Sequence, residues 1–466
     1  MSTVAFRRIA TEAGQDLAGG AGSRRRQAAW QGIVSQWQGN PEDTFGPVVW
    51  QAQRQEEIKM GTRLTKGVHG AGATALLAVC LAAGPAVAQD KTIRVGITLR
   101  MMVESGMAYG DIAKTEIEAV NAKGGINGAK VEVILLDDEC KPDKGIANVN
   151  RFISQNKVHL IIGSTCSSVS MPIADVTAKE QVPQLIPQST NSSITQKGSE
   201  WVFRVSVSER FYAGVYGKYL GENVGKKIAY LYTTDGAGIA FTKQLQEYMK
   251  KNYNVDPVYE AQMQETDLDF RSHLLRIKAL NPEIIGIAGQ ADAQARQVQQ
   301  SFEVGIPKSV LRVAASSAGN VTYPKLAGDA AVGTTFTQAF NCSDERPIAK
   351  QFVAMVNQKY KFACPDHDFS QAWDAAQIVK QALAKANLKL TDASLAEDRR
   401  AIRDALATTR YEGLAAGPIE FCAAPTPQCR DGNRTAVLVQ YTKGGEKFET
   451  KVLARVSFDK DFGLAK

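Results

Sequence analysis

Histidine, catalytic signatures and a strong charge bias are all scarce in this chain. Four His stand among 466 residues, and three of them (His159, His273 and His367) fall in unrelated contexts, so neither a His-centred metal site nor a partnered general base is visible. There is no Cys-x-x-Cys pair, no G-x-S-x-G elbow and no G-x-x-x-x-G-K-[ST] phosphate loop. Gly236-Ala237-Gly238 is too short for a dinucleotide fingerprint and suits a turn with a close helix start. Without a base beside it, Ser167 does not read as a hydrolase nucleophile. No catalytic residue, metal or cofactor is expected.

Long apolar runs are equally rare. The longest, Ala71 to Val87, is short for a membrane crossing and is broken by Gly84-Pro85. It follows Met60-Gly-Thr-Arg63-Leu-Thr-Lys66 and ends at Ala86-Val87-Ala88, the order of a secretory signal peptide cleaved after Ala88. Val79 is too bulky before Cys80 for lipoprotein processing. Residues 1–59 lack sustained periodicity and hold three of the five Trp. A signal works at the start of a chain, so 1–59 are read as an untranslated or disordered leader, 60–88 as the signal peptide, and Met60 as the start. Arg24-Arg25-Arg26 would suit a nucleic-acid-binding arm only in a cytosolic protein.

The first 88 residues hold nine of the 55 Lys and Arg and six of the 48 Asp and Glu, which leaves 46 against 42 in the remaining 378. A net +4 is too weak to imply a polyanionic partner, so no nucleic acid is expected. Six of seven Cys remain, an even number in an exported protein, which favours disulfides. Cys140 and Cys166 follow successive strands, Cys342 and Cys364 flank a helix, and Cys422 and Cys429 bracket a six-residue loop; they are paired in that order.

What the sequence does contain is regular alternation. Thr92–Thr98, Val131–Leu136, Val158–Ile162 and Pro183–Ile186 read as buried strands, separated by helical patterns over 112–122, 142–155 and 167–180. A second series follows, with strands 227–232, 258–262, 283–287 and 311–315 between helices 209–222, 239–252, 269–280 and 291–304. Later helices are expected at 348–359, 371–386 and 396–408, with strands at 435–441 and 447–452. One sheet rarely takes so many strands, so the fold class is α/β with two doubly wound, Rossmann-like lobes. The expected lobes are 89–208 with 341–434, and 209–340 with 435–466, joined by a hinge of several crossovers.

Such lobes bind ligands where their strands' carboxyl ends face each other. Two polar clusters lie there. Ser164-Thr165-Cys166-Ser167-Ser168 follows one strand, and Gln188-Ser189-Thr190-Asn191 follows the next. Hydroxyls at a helix start suit a carboxylate, although any single Ser or Thr there is more often a helix cap. Asp137 and Asp138, at another strand end, read as a solvated turn.

Taken together, Asn121-Ala-Lys-Gly-Gly-Ile-Asn-Gly128, Leu136-Asp-Asp-Glu-Cys140, Ile162-Gly-Ser-Thr-Cys-Ser-Ser168, Ile186-Pro-Gln-Ser-Thr-Asn191 and Gly417-Pro-Ile-Glu-Phe421 resemble the solute-binding proteins of branched-chain amino acid ABC transporters, which have the type I periplasmic binding protein fold. The resemblance runs from Thr92 nearly to the end. It implies a Cys140–Cys166 disulfide, a ligand carboxylate held by Ser167 and Thr190, an ammonium at the carbonyl of Gln188, and Tyr109 near an aromatic wall. It also implies a periplasmic monomer that serves a membrane permease.

The second lobe departs from that pattern. Ser316 stands where the family has an acid, and Ala237 and Gln290 stand at aromatic positions. A neutral hydroxyl cannot balance a buried ammonium, so either Glu209 supplies the charge or the ligand is a carboxylate without an amine. Arg100 and Arg210 lie near pocket segments and could serve an acid. Leucine specificity is therefore not carried over. The alternative function is a ligand-sensing ectodomain or amide-responsive regulator of the same fold.

Overall fold

The computed structural model describes residues 91–102 and 104–458. The expected leader 1–59, the expected signal peptide 60–88 and residues 459–466 lie outside this range. No helix of the described residues is long and apolar enough to cross a membrane.

The chain begins with β1 (Thr92–Leu99), α1 (Glu104–Glu118), β2 (Lys130–Asp137), α2 (Pro142–Ser154), β3 (Leu160–Ile162), α3 (Ser167–Lys179), β4 (Gln184–Ile186), the short α4 (Ser193–Gln196) and β5 (Val202–Arg204). These strands make one parallel sheet in the order β2-β1-β3-β4-β5. Ile97 and Leu99 of β1 are fully covered, because helices lie on both faces of a wound parallel sheet. The motif at 121–128 is structural. Asn121 closes on β2 through Nδ2 to the Val131 carbonyl and Oδ1 to the Val131 N–H, both 2.8 Å. Gly125, at φ +81°, lies where a Cβ would meet the Ala129 oxygen at 1.9 Å.

The second series runs α5 (Glu209–Asn223), β6 (Ile228–Thr233), α6 (Gly236–Tyr253), β7 (Tyr259–Met263), α7 (Arg271–Ala279), β8 (Ile284–Ala288), α8 (Ala291–Glu303), β9 (Leu311–Ala314), α9 (Thr322–Ala327) and β10 (Thr335–Gln338). After α10 (Pro347–Tyr360), α11 (His367–Lys385), α12 (Leu395–Leu406), β11 (Arg410–Tyr411), β12 (Ile419–Glu420) and α13 (Pro427–Arg430), the chain ends in β13 (Thr435–Lys443) and β14 (Glu449–Ser457). The second sheet has the order β14-β13-β10-β9-β8-β6-β7, antiparallel only where β13 meets β10 and β14. Ile378, Val379 and Leu383 of α11 and Ile402 and Leu406 of α12 enter the core of the first sheet. Tyr212 and Leu220 of α5 enter that of the second. The chain therefore passes between lobes three times: after β5, after β10 and before β13.

The elements differ from the sequence pattern where local signals are weak. The three-residue β5 and the four-residue β10 escaped it. Helix α11 begins at His367 rather than 371, because His-Asp-Phe-Ser carries little helical periodicity but Asp366 caps it through the N–H groups of Asp368 and Phe369. The disulfides are Cys140–Cys166, Cys342–Cys364 and Cys422–Cys429.

Candidate functional site

The order of the first sheet reverses between β1 and β3, and that of the second between β6 and β8. A crevice opens at the carboxyl end of a wound sheet at such a point. The two crevices face each other and enclose a cavity of about 290 Å³. The loops after β1, β3 and β4 contribute Arg100, Thr165, Ser167, Gln188 and Thr190 to it, and the loops after β6, β8 and β9 contribute Ala237, Gln290, Asp292 and Ser316.

Helices α3, α6, α8 and α11 all begin at this wall, so the positive ends of four backbone dipoles converge there. Asp235 caps α6 and Asp366 caps α11 with their carboxylates. The N-caps of α3 and α8, Cys166 and Gln290, form no such side-chain bond.

Behind Ser167 and Thr190 lies a tight hydroxyl network. Ser189 Oγ meets Ser170 Oγ at 2.7 Å and donates to the Ser164 carbonyl at 2.9 Å. Ser164 Oγ donates to Asp138 at 2.7 Å, and Thr98 Oγ1 donates to the same carboxylate at 3.1 Å. Asp138 is thus buried, with burial raising its pKa, and is not the solvated turn its sequence suggests. It ties the loop after β2 to the one after β3.

Of the residues expected at the site, Ser167, Thr190, Gln188, Tyr109, Gln290 and Ser316 line the cavity. Ser168 and Ser189 do not: Ser168 sits half-buried in the first turn of α3, and Ser189 is spent on the hydroxyl network. Glu209 does not line it either. Wholly buried beneath the wall, it accepts from Ser316 Oγ at 3.4 Å and through its backbone N–H bonds the Thr190 carbonyl at 2.8 Å. Burial pushes its carboxyl up to about 7, and Oε2 has no partner among the described residues. Arg210 turns away to Asp431 at 3.1 Å.

Sequence reasoning missed Asp368. It lines the cavity from the first turn of α11, where its carboxyl accepts from Asn320 Nδ2 at 3.4 Å. Burial pushes it up to about 7. Burial and the charge of Asp368 do the same to Asp366, while burial holds the intervening His367 down near 4 and therefore neutral at pH 7. The available signal was the Asp-x-Asp pair after Cys364-Pro365, which reads as a capped helix start.

The lobes touch across the cavity. Asn191 Nδ2 donates to the Gly236 carbonyl at 2.6 Å, Asn320 Nδ2 to Tyr109 OH at 2.8 Å, and the Val321 N–H to Asp366 at 3.1 Å. Tyr109 OH donates in turn to Asp366 at 2.9 Å.

Known proteins share this architecture. Residues 102–446 match the family model described as periplasmic binding protein. The Leu/Ile/Val-binding protein homolog 3 of Brucella melitensis is 25% identical over 313 residues, 65% of this chain and 83% of that one. A leucine-binding protein of Thermotoga maritima superposes with a TM-score of 0.66 at 22% identity, covering 78% of this chain and 99% of that one. A solute-binding protein of Rhodopseudomonas palustris, solved with 3,4-dihydroxybenzoic acid, gives 0.66 at 22% identity over 79% and 98%. A match of this extent, on two wound lobes that face each other over one cavity, places the chain in the periplasmic binding protein family, a family of solute-binding proteins.

Proposed function

We propose that this chain is an exported solute-binding protein of an ABC importer that captures a small amino acid between two closing lobes and presents it to a membrane permease. The observation that carries the reading is the pair of hydroxyls, Ser167 and Thr190, on adjacent strand ends beside the uncapped start of α3. An α-carboxylate placed there meets a helix dipole and two donors. Asp368 supports the other half of the reading: its neighbour His367, 3.5 Å away, is held neutral by burial, and a buried acid whose ion-pair neighbour among the described residues is neutral is stabilised by a ligand ammonium. The lobes follow the division 89–208 with 341–434 and 209–340 with 435–466, and the three crossings form the hinge. Ligand docks on the first lobe and the second closes over it, because contacts from both lobes favour the closed arrangement.

A thermal-shift screen of the processed chain against the common amino acids tests this, since a tight ligand raises the melting temperature by mass action. A rise with at least one amino acid is expected, and it should shrink in Ser167→Ala and Thr190→Ala. No shift with any amino acid overturns the reading.

A further inference from the structure

The cavity offers a branched aliphatic side chain few partners of its own kind. Among the residues that line it, Leu326 is the one aliphatic side chain longer than Ala, and it is 45% exposed. Tyr109 has its hydroxyl tied to Asp366 and Asn320. By residue type most of the remaining lining is hydroxyl, amide or charge, although more of the surface these residues turn to the cavity is apolar than polar; a methyl-rich side chain would leave the polar groups among them without hydrogen bonds.

The same cavity also holds a cation. Arg100 projects from the end of β1 in the first lobe and reaches Gln290 of the second, Nη1 to Oε1 at a long 3.4 Å. Its Nε is buried without a partner; the charge of Glu265 acts on it, but no ion pair joins Arg100 to a carboxylate among the described residues. The neighbouring acid of the cavity, Asp292, is already paired with Arg296 at 2.9 Å. Arg100 is therefore a guanidinium turned into a cavity with donors to spare, beside the start of α8, whose N-cap Gln290 bonds none of its own first-turn amides.

We infer that Arg100 and Gln290, one from each lobe, recognise a second acidic group, so that the ligand is an acidic amino acid rather than a branched-chain one. This rests on the amino acid-binding reading above. One carboxylate takes Ser167 and Thr190, the ammonium takes Asp368, and the side-chain carboxylate takes the Arg100 fork. The fork donates two parallel hydrogen bonds to a planar acceptor. Because Gln290 belongs to the other lobe, the same contact rewards closure, and a ligand too short or too apolar to reach it leaves the lobes less firmly held.

Isothermal titration calorimetry with L-glutamate, L-aspartate, L-glutamine, L-leucine and 3,4-dihydroxybenzoate tests this on the processed chain and on Arg100→Met. Glutamate or aspartate is expected to bind at least about tenfold tighter than leucine, the scale of one charge-assisted contact. Arg100→Met should erase that preference and cost glutamine less than either acid, since an amide side chain loses a hydrogen bond from the guanidinium but no ion pair. A leucine affinity above that of both acids overturns the inference and leaves the parent reading standing. So does an equal loss for every ligand in Arg100→Met, which would make Arg100 a lobe contact alone. Binding of the aromatic acid alone, or silence across all five, overturns the inference as well, and the parent reading then stands or falls on the wider amino acid screen. Gln290→Leu gives a second route: a loss confined to the acidic ligands supports the pair, and an unchanged profile counts against it.

Discussion

The two lobes are wound alike and finished differently. The first carries five strands and the second seven. All three disulfides involve residues outside 205–341, so within the described residues the stretch holding β6 to β10 has none. The ligand walls differ in the same sense. On the first lobe, Ser167 and Thr190 stand in front of the Ser164, Ser170, Ser189 and Asp138 network, with Cys166 at the start of α3 stapled to Cys140. On the second, Ala237 and Ser316 are short side chains, and Gln290 reaches its partner across a long contact. One wall is braced by bonds within its own lobe, and the other reaches it through the contact of Gln290 with Arg100. On the proposed reading the first lobe docks and orients the ligand, and Gln290 and Ser316 of the second complete its contacts on closure.

The most damaging way to break this comparison is at the joint between the lobes. Asp431, just before the last crossing, accepts from Arg204 Nη2 at 2.5 Å, Thr195 Oγ1 at 2.8 Å and Arg210 Nη2 at 3.1 Å. Arg204 ends β5 just before the first crossing and is wholly buried. Asp431→Asn leaves buried guanidinium charge uncompensated and should cost about 3–5 kcal/mol in chemical denaturation. A loss under 1 kcal/mol would show that the crossings are held by packing alone.

Next in size is the staple. Replacing Cys140 and Cys166 together by Ser should destabilise the first lobe by about 3 kcal/mol in the chain-entropy model for a loop of this span. The comparison requires the loss to fall on that lobe. Hydrogen exchange should rise in β2 and α3 while β8 and β9 keep their protection, and a uniform rise would erase the distinction.

The ligand wall comes third. Ser167→Ala and Thr190→Ala should each weaken binding by about 1–3 kcal/mol with little change in the melting temperature of the free protein. Ser316→Ala on the opposite wall should cost less, about 1 kcal/mol or under, because it removes a neutral contact. Calorimetry giving the reverse order would make the second lobe the docking surface.

Protonation sharpens the same division. Asp368 has its carboxyl raised to about 7 by burial, and a ligand ammonium beside it favours the charged form and lowers that value. Binding near pH 7 should then release protons, and affinity should rise as pH climbs through 7 and level off above it. The limiting slope below 7 is roughly tenfold per pH unit for one proton. Calorimetry in buffers of different ionisation enthalpy reads the release directly. Asp368→Asn should abolish it, and release that persists in that variant would move the linkage to Glu209.

Most of the fold was legible because the strands are long β-branched runs and the helices are periodic. The disulfides followed from Cys spacing alone. The cavity lining was legible where chemistry and position coincide, in hydroxyls at the ends of β3 and β4. It was illegible where the determining fact is a contact between distant segments. Asp368 lies 178 residues from Thr190 in sequence, and its helix starts with residues that carry no periodic signal. Glu209 looked like a ligand because charge at a lobe entry invites that reading, yet packing puts it beneath Ser316. Arg210 misled in the same way, since its partner Asp431 is 221 residues on.

The smallest effect is the most direct test of closure. Gly236 opens α6 on the second lobe and lies against the start of α3 on the first. A Cβ there would meet Ser167 Cβ, Met171 Cε and the Ser168 nitrogen, each at 3.2 Å. The Met171 methyl can swing aside, but the Ser168 backbone cannot, so Gly236→Ala must hold the lobes a few tenths of an ångström apart and strain the 2.6 Å bond from Asn191 to the Gly236 carbonyl. Its backbone has an ordinary negative φ, so the substitution leaves the second lobe itself unstrained. Affinity should fall by about 1 kcal/mol or less, roughly threefold, with the melting temperature of the free protein unchanged. The deficit should appear as faster ligand release if, as proposed, closure follows docking on the first lobe. An unchanged release rate would mean that the ligand is held by the first lobe without the second.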